Sequence, residues 1–287
     1  MRRISLVLDG SPRDSQSVQA AMALALRLGA QIEGLFIRPS VGEILARFGD
    51  SIASSISGDI IEQILKDSDE FAAKAKSILE DAARANGLAV FKKPSRLSTP
   101  GVSFEVIQGP PLEALSEAVA LSDIVVFGEP DHVAPAPLAE QIEYTMLTLR
   151  RPVLVARGEV AQRLGDRIVV AFDGRHEACT ALIRTVPILA TARFVEILHV
   201  CEHEERDVGQ ADRALRYLGQ NGVSASAVEA ELSNKEVGVR LSELAKMSNA
   251  DLIVMGGYGR SRMRELILGG ATRHMMHHSP IPVLLVH

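Results

Sequence analysis

Asp251-Leu-Ile-Val-Met-Gly256-Gly257-Tyr258-Gly259 decides the fold of this chain. Apolar residues run without alternation and stop at glycines, the pattern of a strand covered on both faces that opens into a backbone-exposing loop. The stretch leads on to Ile281-Pro-Val-Leu-Leu-Val-His287, a second apolar run. The pair is echoed earlier by Asp123-Ile-Val-Val-Phe-Gly128 and Arg151-Pro-Val-Leu-Val-Ala-Arg157. Further out, Arg3-Ile-Ser-Leu-Val-Leu-Asp9-Gly10 matches Arg167-Ile-Val-Val-Ala-Phe-Asp173-Gly174. Second strands follow at Ile32-Glu-Gly-Leu-Phe-Ile37 and Phe194-Val-Glu-Ile-Leu-His-Val200, and third strands are expected at 102–107 and 224–229. The order of parts is the same in both halves. The 287 residues therefore read as two domains of one plan, 1–158 and 166–287, with the seam in the polar stretch between them.

Helical segments alternate with these strands. Residues 15–28 are rich in Ala and Leu and end at Gly29, as a glycine-capped helix does. The counterpart at 177–189 contains Pro187, which is expected to kink or shorten it. Helical periodicity returns at 111–120 and 235–246, ahead of each fourth strand. Each half is thus expected to be a parallel sheet sandwiched by helices. The first half carries an insertion, 41–86, with a Ser/Gly-rich patch at 49–58 and a long helical stretch at 60–85. It reads either as a lid over a ligand site or as a longer crossover helix covering the sheet. Lys92-Lys-Pro-Ser-Arg-Leu-Ser-Thr-Pro100, broken by two prolines, reads as an exposed loop.

Composition removes several classes of function. Hydrophobic residues make up 47% and charged residues 23%, enough for two cores, and the formal charge of −5 gives no general attraction to nucleic acid or an anionic membrane. Neither is expected as a partner. The two cysteines, Cys179 and Cys201, lack a C-x-x-C spacing and suggest neither a disulfide framework nor a zinc knuckle. Few apolar residues precede Asp9, too few for a signal-peptide core, and no apolar run approaches membrane-spanning length. A cytoplasmic location is the expectation.

Candidate chemistry concentrates at 256–272. Ligands of open parallel sheets sit beyond the carboxyl ends of the strands. There Gly256, Gly257 and Gly259 let backbone N–H groups approach an anion, and Gly269-Gly270-Ala-Thr272 opens a helix whose first turn presents free N–H groups. No G-x-x-x-x-G-K-[ST] is present, and Arg262 stands where a third dinucleotide-loop glycine would fall.

Gly256-x2-Gly259-x9-Gly269 resembles the G-2x-G-9x-G-[ST] signature of the ATP-binding universal stress proteins. The likeness extends to the strand ending at Asp173, to His199-Val200, to Met255, and to Pro280-Ile-Pro-Val-Leu-Leu-Val286. It covers both halves, as in a tandem member. The resemblance implies an α/β fold: two tandem doubly wound, five-stranded parallel-sheet domains of strand order 3-2-1-4-5, paired as a pseudo-dimer with Val153-Leu-Val155 meeting Val283-Leu-Leu285. It further implies that Asp173 and Val200 contact adenine and ribose, that Met255 and Gly256 floor the pocket, and that Gly259, Gly269 and Gly270 meet the phosphates. Thr272 matches a hydroxyl position near the phosphates. Gly270 stands where the signature has Ser or Thr, which removes one side-chain hydrogen bond, about 0.5–1.5 kcal/mol for a neutral pair. In the first half Asp9 and Gly128 are kept, whereas Asp131 and Gln141 replace the later signature glycines. No nucleotide is expected there.

Arg260 or Arg262 is placed to pair with a phosphate by a bidentate hydrogen bond, set against the alternative of a solvated basic turn. His274, His277 and His278 invite a metal reading, but no acid or cysteine accompanies them locally, and the helix dipole favours His at a C-terminus in any case. Cys201-Glu-His203-Glu-Glu205 reads as a solvated loop. No metal site and no catalytic residue is expected. The functional expectation is a stress-response regulator that binds ATP or a related adenine nucleotide in its second domain, with Mg as a possible counter-ion and no strong catalysis. A slow ATPase and a scaffold that binds no nucleotide are the alternatives. Expected partners are the nucleotide, the other domain of the same chain, and a second copy in a homodimer.

Overall fold

Aspartates hold the strands together at their starting ends. Asp123 accepts the backbone N–H groups of Arg2 (2.5 Å) and Arg3 (3.0 Å). Asp251 accepts those of Gly165 (2.7 Å), Asp166 (3.0 Å) and Arg167 (3.0 Å). Burial pushes the Asp251 carboxyl above the usual carboxylate range, opposed by the same three backbone hydrogen bonds. The aspartate that opens each repeated stretch is thus a structural tie at the end of the sheet opposite the glycines.

The computed structural model describes residues 1–48, 58–92, 99–130, 137–201, 209–232, 236–257 and 270–287. The chain divides into two compact units, Arg2–Gly128 and Glu129–His287, with Met1 grouped with the second. The first unit runs β1 (Arg3–Leu8), α1 (Asp14–Leu28), β2 (Gln31–Arg38), α2 (Val41–Phe48), α3 (Gly58–Ala85), β3 (Ala89–Val90), β4 (Gly101–Gln108), α4 (Pro111–Val119) and β5 (Ile124–Phe127). Its strands lie in the order β3-β4-β2-β1-β5, and the registered pairs are parallel. Gly29 ends α1 with φ 60°, the left-handed cap expected from the sequence. The insertion is a crossover: α3 packs against α1, β2 and β4, with Leu79 fully buried over Gly34. A Cβ at Gly34 would stand 2.5 Å from Leu79 Cδ2, so the helix lies close against the sheet. This favours the covering helix over the lid.

The second unit runs α5 (Pro137–Leu147), β6 (Val153–Val155), β7 (Arg167–Ala171), α6 (His176–Leu189), β8 (Phe194–Cys201), α7 (Gln210–Gln220), β9 (Ser226–Glu231), α8 (Val237–Met247), β10 (Leu252–Gly256), α9 (Gly270–His278) and β11 (Val283–Val286). Its strand order is β6-β11-β10-β7-β8-β9, so β9-β8-β7-β10-β11 reproduces the expected 3-2-1-4-5. All registered pairs are parallel except β6 with β11. There Val155 pairs with Val283, Leu154 with Leu284 and Val153 with Leu285, the residues expected to meet. This pairing groups β6 with the second unit, so the packing boundary falls earlier than the seam of the sequence repeat.

Two details differ from expectation. The third strand begins at Ser226, two residues later than anticipated, because Gly222 (φ 74°) and buried Val223, whose N–H bonds Leu218 O, still belong to the cap of α7. Pro187 lies inside α6 without shortening it. It sits in the last turn, where its missing N–H forgoes the bond to the Ile183 carbonyl but only two helical residues follow it. The inner strands β5, β10 and β11 are buried along their apolar runs, which is why they carry no alternation. No helix among the described residues is long and apolar enough to cross a membrane.

Candidate functional site

A cavity of about 390 Å³ opens beyond the carboxyl ends of β7, β8 and β10. Its apolar wall is made by Leu198 and Val200 on β8, Met255 on β10, and Leu232, Val237 and Leu241 around the start of α8. Its polar rim carries Asp173, Glu177 and Glu236, and Gly270, Ala271 and Thr272 bring the first turn of α9 to the same space. A parallel sheet explains the convergence, since strand C-termini and the N-termini of the following helices meet at one end.

The turn after β7 is fixed by local hydrogen bonds. Gly174 takes φ 74°, Asp173 Oδ1 accepts the Arg175 N–H (3.0 Å), and the buried ring of His199 bonds Phe172 O through Nδ1 (2.7 Å). The last contact ties the end of β8 to the end of β7 and sets Val200 beside Asp173. Gly256 is required by close packing: a Cβ there would lie 2.5 Å from the carbonyl carbon of Glu177 and 2.6 Å from the Ala178 nitrogen. Gly270 is different, because a Cβ there would meet nothing within 4 Å among the described residues, at the start of a helix.

The residues expected from sequence are therefore distributed as follows. Asp173, Val200, Met255, Gly256, Gly270 and Thr272 line the cavity together. Gly257 does not line it. Its N–H bonds Val286 O (2.8 Å), its carbonyl meets His287 Nδ1 (2.8 Å), and a Cβ would lie 2.6 Å from Met146 Sδ. Gly259, Arg260, Arg262 and Gly269 lie outside the described residues, as do Asp131 and His203. Gln141 falls on α5, with its amide oxygen buried. Sequence reasoning missed Glu177, Ala178 and Glu236. Their signal was positional, because each stands at the start of a helix that follows a strand.

A second cavity of about 400 Å³ adjoins the first through Glu236 and Gly270 and is otherwise lined by Arg273, His274, His277 and His278. The rings of His274 and His278 have centroids 5.1 Å apart. Burial chiefly, then the neighbouring His278 and Arg157, hold the His274 pKa below its ordinary value, against the pull of Glu236. Beside this cavity's Arg273, burial raises the Glu143 carboxyl while the Arg273 charge lowers it.

Comparison with known proteins places this architecture. Residues 165–287 match the model of the Universal stress protein family. Over 301 aligned positions the chain is 24% identical to a universal stress protein of Synechocystis sp., covering 99% of each. The fold is similar to that of a universal stress protein from Archaeoglobus fulgidus, with TM-score 0.71 at 18% identity over 99% of this chain and 97% of that one. A putative universal stress protein from Pseudomonas aeruginosa shares the fold at TM-score 0.61 and 13% identity, over 100% of this chain and 93% of that one. Residues 165–287 thus match the universal stress protein family, and the whole chain is similar in sequence and in fold to universal stress proteins that it covers almost end to end.

Proposed function

We propose that the second unit binds an adenine nucleotide, ATP by preference, and that the chain is a stress-response regulator governed by that ligand rather than a strong catalyst. The observation that carries the reading is the meeting of Asp173, Val200, Met255, Gly256, Gly270 and Thr272, from separate segments of the chain, around one cavity. The residues fit the ligand in chemistry. Leu198, Val200, Met255 and Leu241 give a base an apolar bed, and the exposed Asp173 carboxylate is an acceptor for ribose hydroxyls. The α9 first turn offers backbone N–H groups and a positive dipole end to phosphate. Gly270 keeps that approach open although it lacks the hydroxyl of the family signature.

Asp173, Glu177 and Glu236 make the rim acidic, so a triphosphate is expected to bind as its magnesium complex, the metal offsetting like-charge repulsion. Hydrolysis needs a positioned base or a water-orienting group on the γ-phosphate. Asp173 is assigned to ligand contact, which is why strong catalysis is not proposed. Calorimetric titration with ATP, with and without Mg2+, followed by assay of ADP, tests the reading. Binding without turnover supports a regulator, turnover makes the chain an ATPase, and no binding at millimolar ATP removes the nucleotide. Gly270→Asp is the informative variant. Its side chain meets none of the described residues within 4 Å at its Cβ and suits a helix N-terminus, so a fixed negative charge enters the phosphate position at little cost to the fold. Unchanged ATP affinity in that variant would move the site elsewhere.

A further inference from the structure

We propose that the second cavity is a binding site for a divalent transition-metal ion of the zinc class, chelated by His274 and His278 and completed by Glu236. The sequence places two histidines one helical turn apart without a local acid. The fold supplies the acid from α8, because Glu236, which precedes that helix, lines the same cavity as all three histidines of α9. Imidazole and carboxylate together are a ligand set suited to zinc.

The geometry of the pair matches chelation. With Zn–N bonds of about 2.0–2.1 Å and a near-tetrahedral angle, the centroids of two coordinated imidazoles fall about 5 Å apart. The His274 and His278 centroids stand 5.1 Å apart with an interplanar angle of 51°. His277 is further from His278, at 6.3 Å, and is assigned no ligand role. Among the described residues no three His, Cys, Asp or Glu side chains are already grouped to hold a metal ion. The proposed site thus requires a movement: the histidine pair takes the ion first, and the exposed Glu236 side chain must swing across the cavity to complete it, with water in the remaining position. Arg273 also lines the cavity, and its charge opposes a cation, but Glu143 interacts with it from α5. The backbone is held in place from the other side, where Gly238 packs so closely on His274 that a Cβ would lie 2.6 Å from the histidine Cβ.

The test is Zn2+ titrated into the full chain in metal-free, phosphate-free buffer without nucleotide, read by calorimetry, with far-UV circular dichroism on each variant. One ion per site is expected. His278→Ala, at an exposed position, should lose affinity by more than the roughly 10–100-fold that loss of an outer-shell partner costs. Glu236→Gln should lose less than His278→Ala, and His277→Ala should bind as the parent does. The proposal is overturned if the parent binds Zn2+ no more tightly than His278→Ala, or if His277→Ala loses as much as His278→Ala. Because nucleotide is absent throughout, failure of ATP binding leaves this result untouched, and failure of zinc binding says nothing about ATP.

Discussion

At the end of the first strand both units carry the same Asp-Gly pair, and different neighbours pack on it. In the first unit Gly10 takes φ 79°, and a Cβ there would stand 2.6 Å from the backbone oxygen of Phe71 on α3. Beneath it Asp14 is buried, with its carboxylate accepting the N–H groups of Gly10 (2.8 Å) and Asp9 (3.2 Å). In the second unit the neighbour of Gly174 is the side chain of Gln210 on α7, and Ala178 stands at the offset of Asp14 and lines the cavity beyond β7, β8 and β10. The fourth strands differ too. Gly256 lies against the backbone of α6, whereas a Cβ at Gly128 would meet, among the described residues, only the Arg13 Cβ at 4.0 Å. One strand-end motif is thus covered by helix backbone and a buried acid in one unit and left beside a cavity in the other. The lesson is that the motif alone does not make a site; the crossover helix and the residue five positions after the aspartate decide it.

The comparison can be broken most forcefully at Leu79, which fixes α3 to the sheet. Leu79→Ala removes a fully buried side chain and should lower the stability of the first unit by about 2–5 kcal/mol, read as a shift in the chemical denaturation midpoint. ATP affinity of the second unit should be unchanged. Next come the paired turn glycines. Gly10→Ala and Gly174→Ala both force a positive φ on a residue with a Cβ, but only the former meets rigid backbone. Gly10→Ala should cost about 1–3 kcal/mol and Gly174→Ala distinctly less, because Gln210 can move aside. Equal costs would show that backbone closure does not distinguish the units.

A similar contrast is available on the fourth strands. Gly256→Ala is expected to cost about 1–3 kcal/mol by overpacking against Glu177 and Ala178 and to weaken ATP binding. Gly128→Ala, with room for its methyl group, should stay within about 0.5 kcal/mol of the parent. Comparable losses at both positions, measured by urea denaturation, would remove the distinction.

The last contrast is a trend with pH rather than a single offset, and it comes from Asp14. Burial first, and then the charge of Asp9, push its pKa up to about 7 from 3.8, despite the backbone hydrogen bonds it accepts. The folded state therefore favours the protonated acid. Its stabilising contribution is full below 3.8 and is lost as pH rises through about 7. Asp14→Asn should consequently gain on the parent between those limits, by at most about 1.4 kcal/mol per pH unit. Denaturation midpoints of both proteins at several pH values between 4 and 8 measure the trend. A constant difference across that range would place the proton elsewhere.

Much of this was legible before the structure, for physical reasons that can be named. Strands buried on both faces must be apolar throughout, so 252–255 and 283–286 announced a sheet covered by helices. Turns that need positive φ show glycine, so Gly10, Gly29 and Gly174 marked their corners. The edge strand β9, half-exposed and built from Ser, Ala, Val and Glu, carried a weaker pattern and was placed two residues early. At the site, residues on strand ends were found, but Glu177, Glu236 and Ala178 were not, because a cavity wall drawn from helix starts has no fixed spacing in the chain.

By itself, then, the sequence determined the repeat, the apolar strands and the unequal glycines, since each is a local demand of burial or backbone conformation, while the family resemblance implied the strand order and several of the residues that meet at the cavity. Only the tertiary structure decided the antiparallel sense and register in which β6 meets β11, that Gly257 turns away toward Met146, that α3 covers the first Asp-Gly turn, and that Glu236 joins the histidines of α9. These are contacts between residues far apart in the chain, set by how helices and strands pack, and packing between distant segments leaves no period to read.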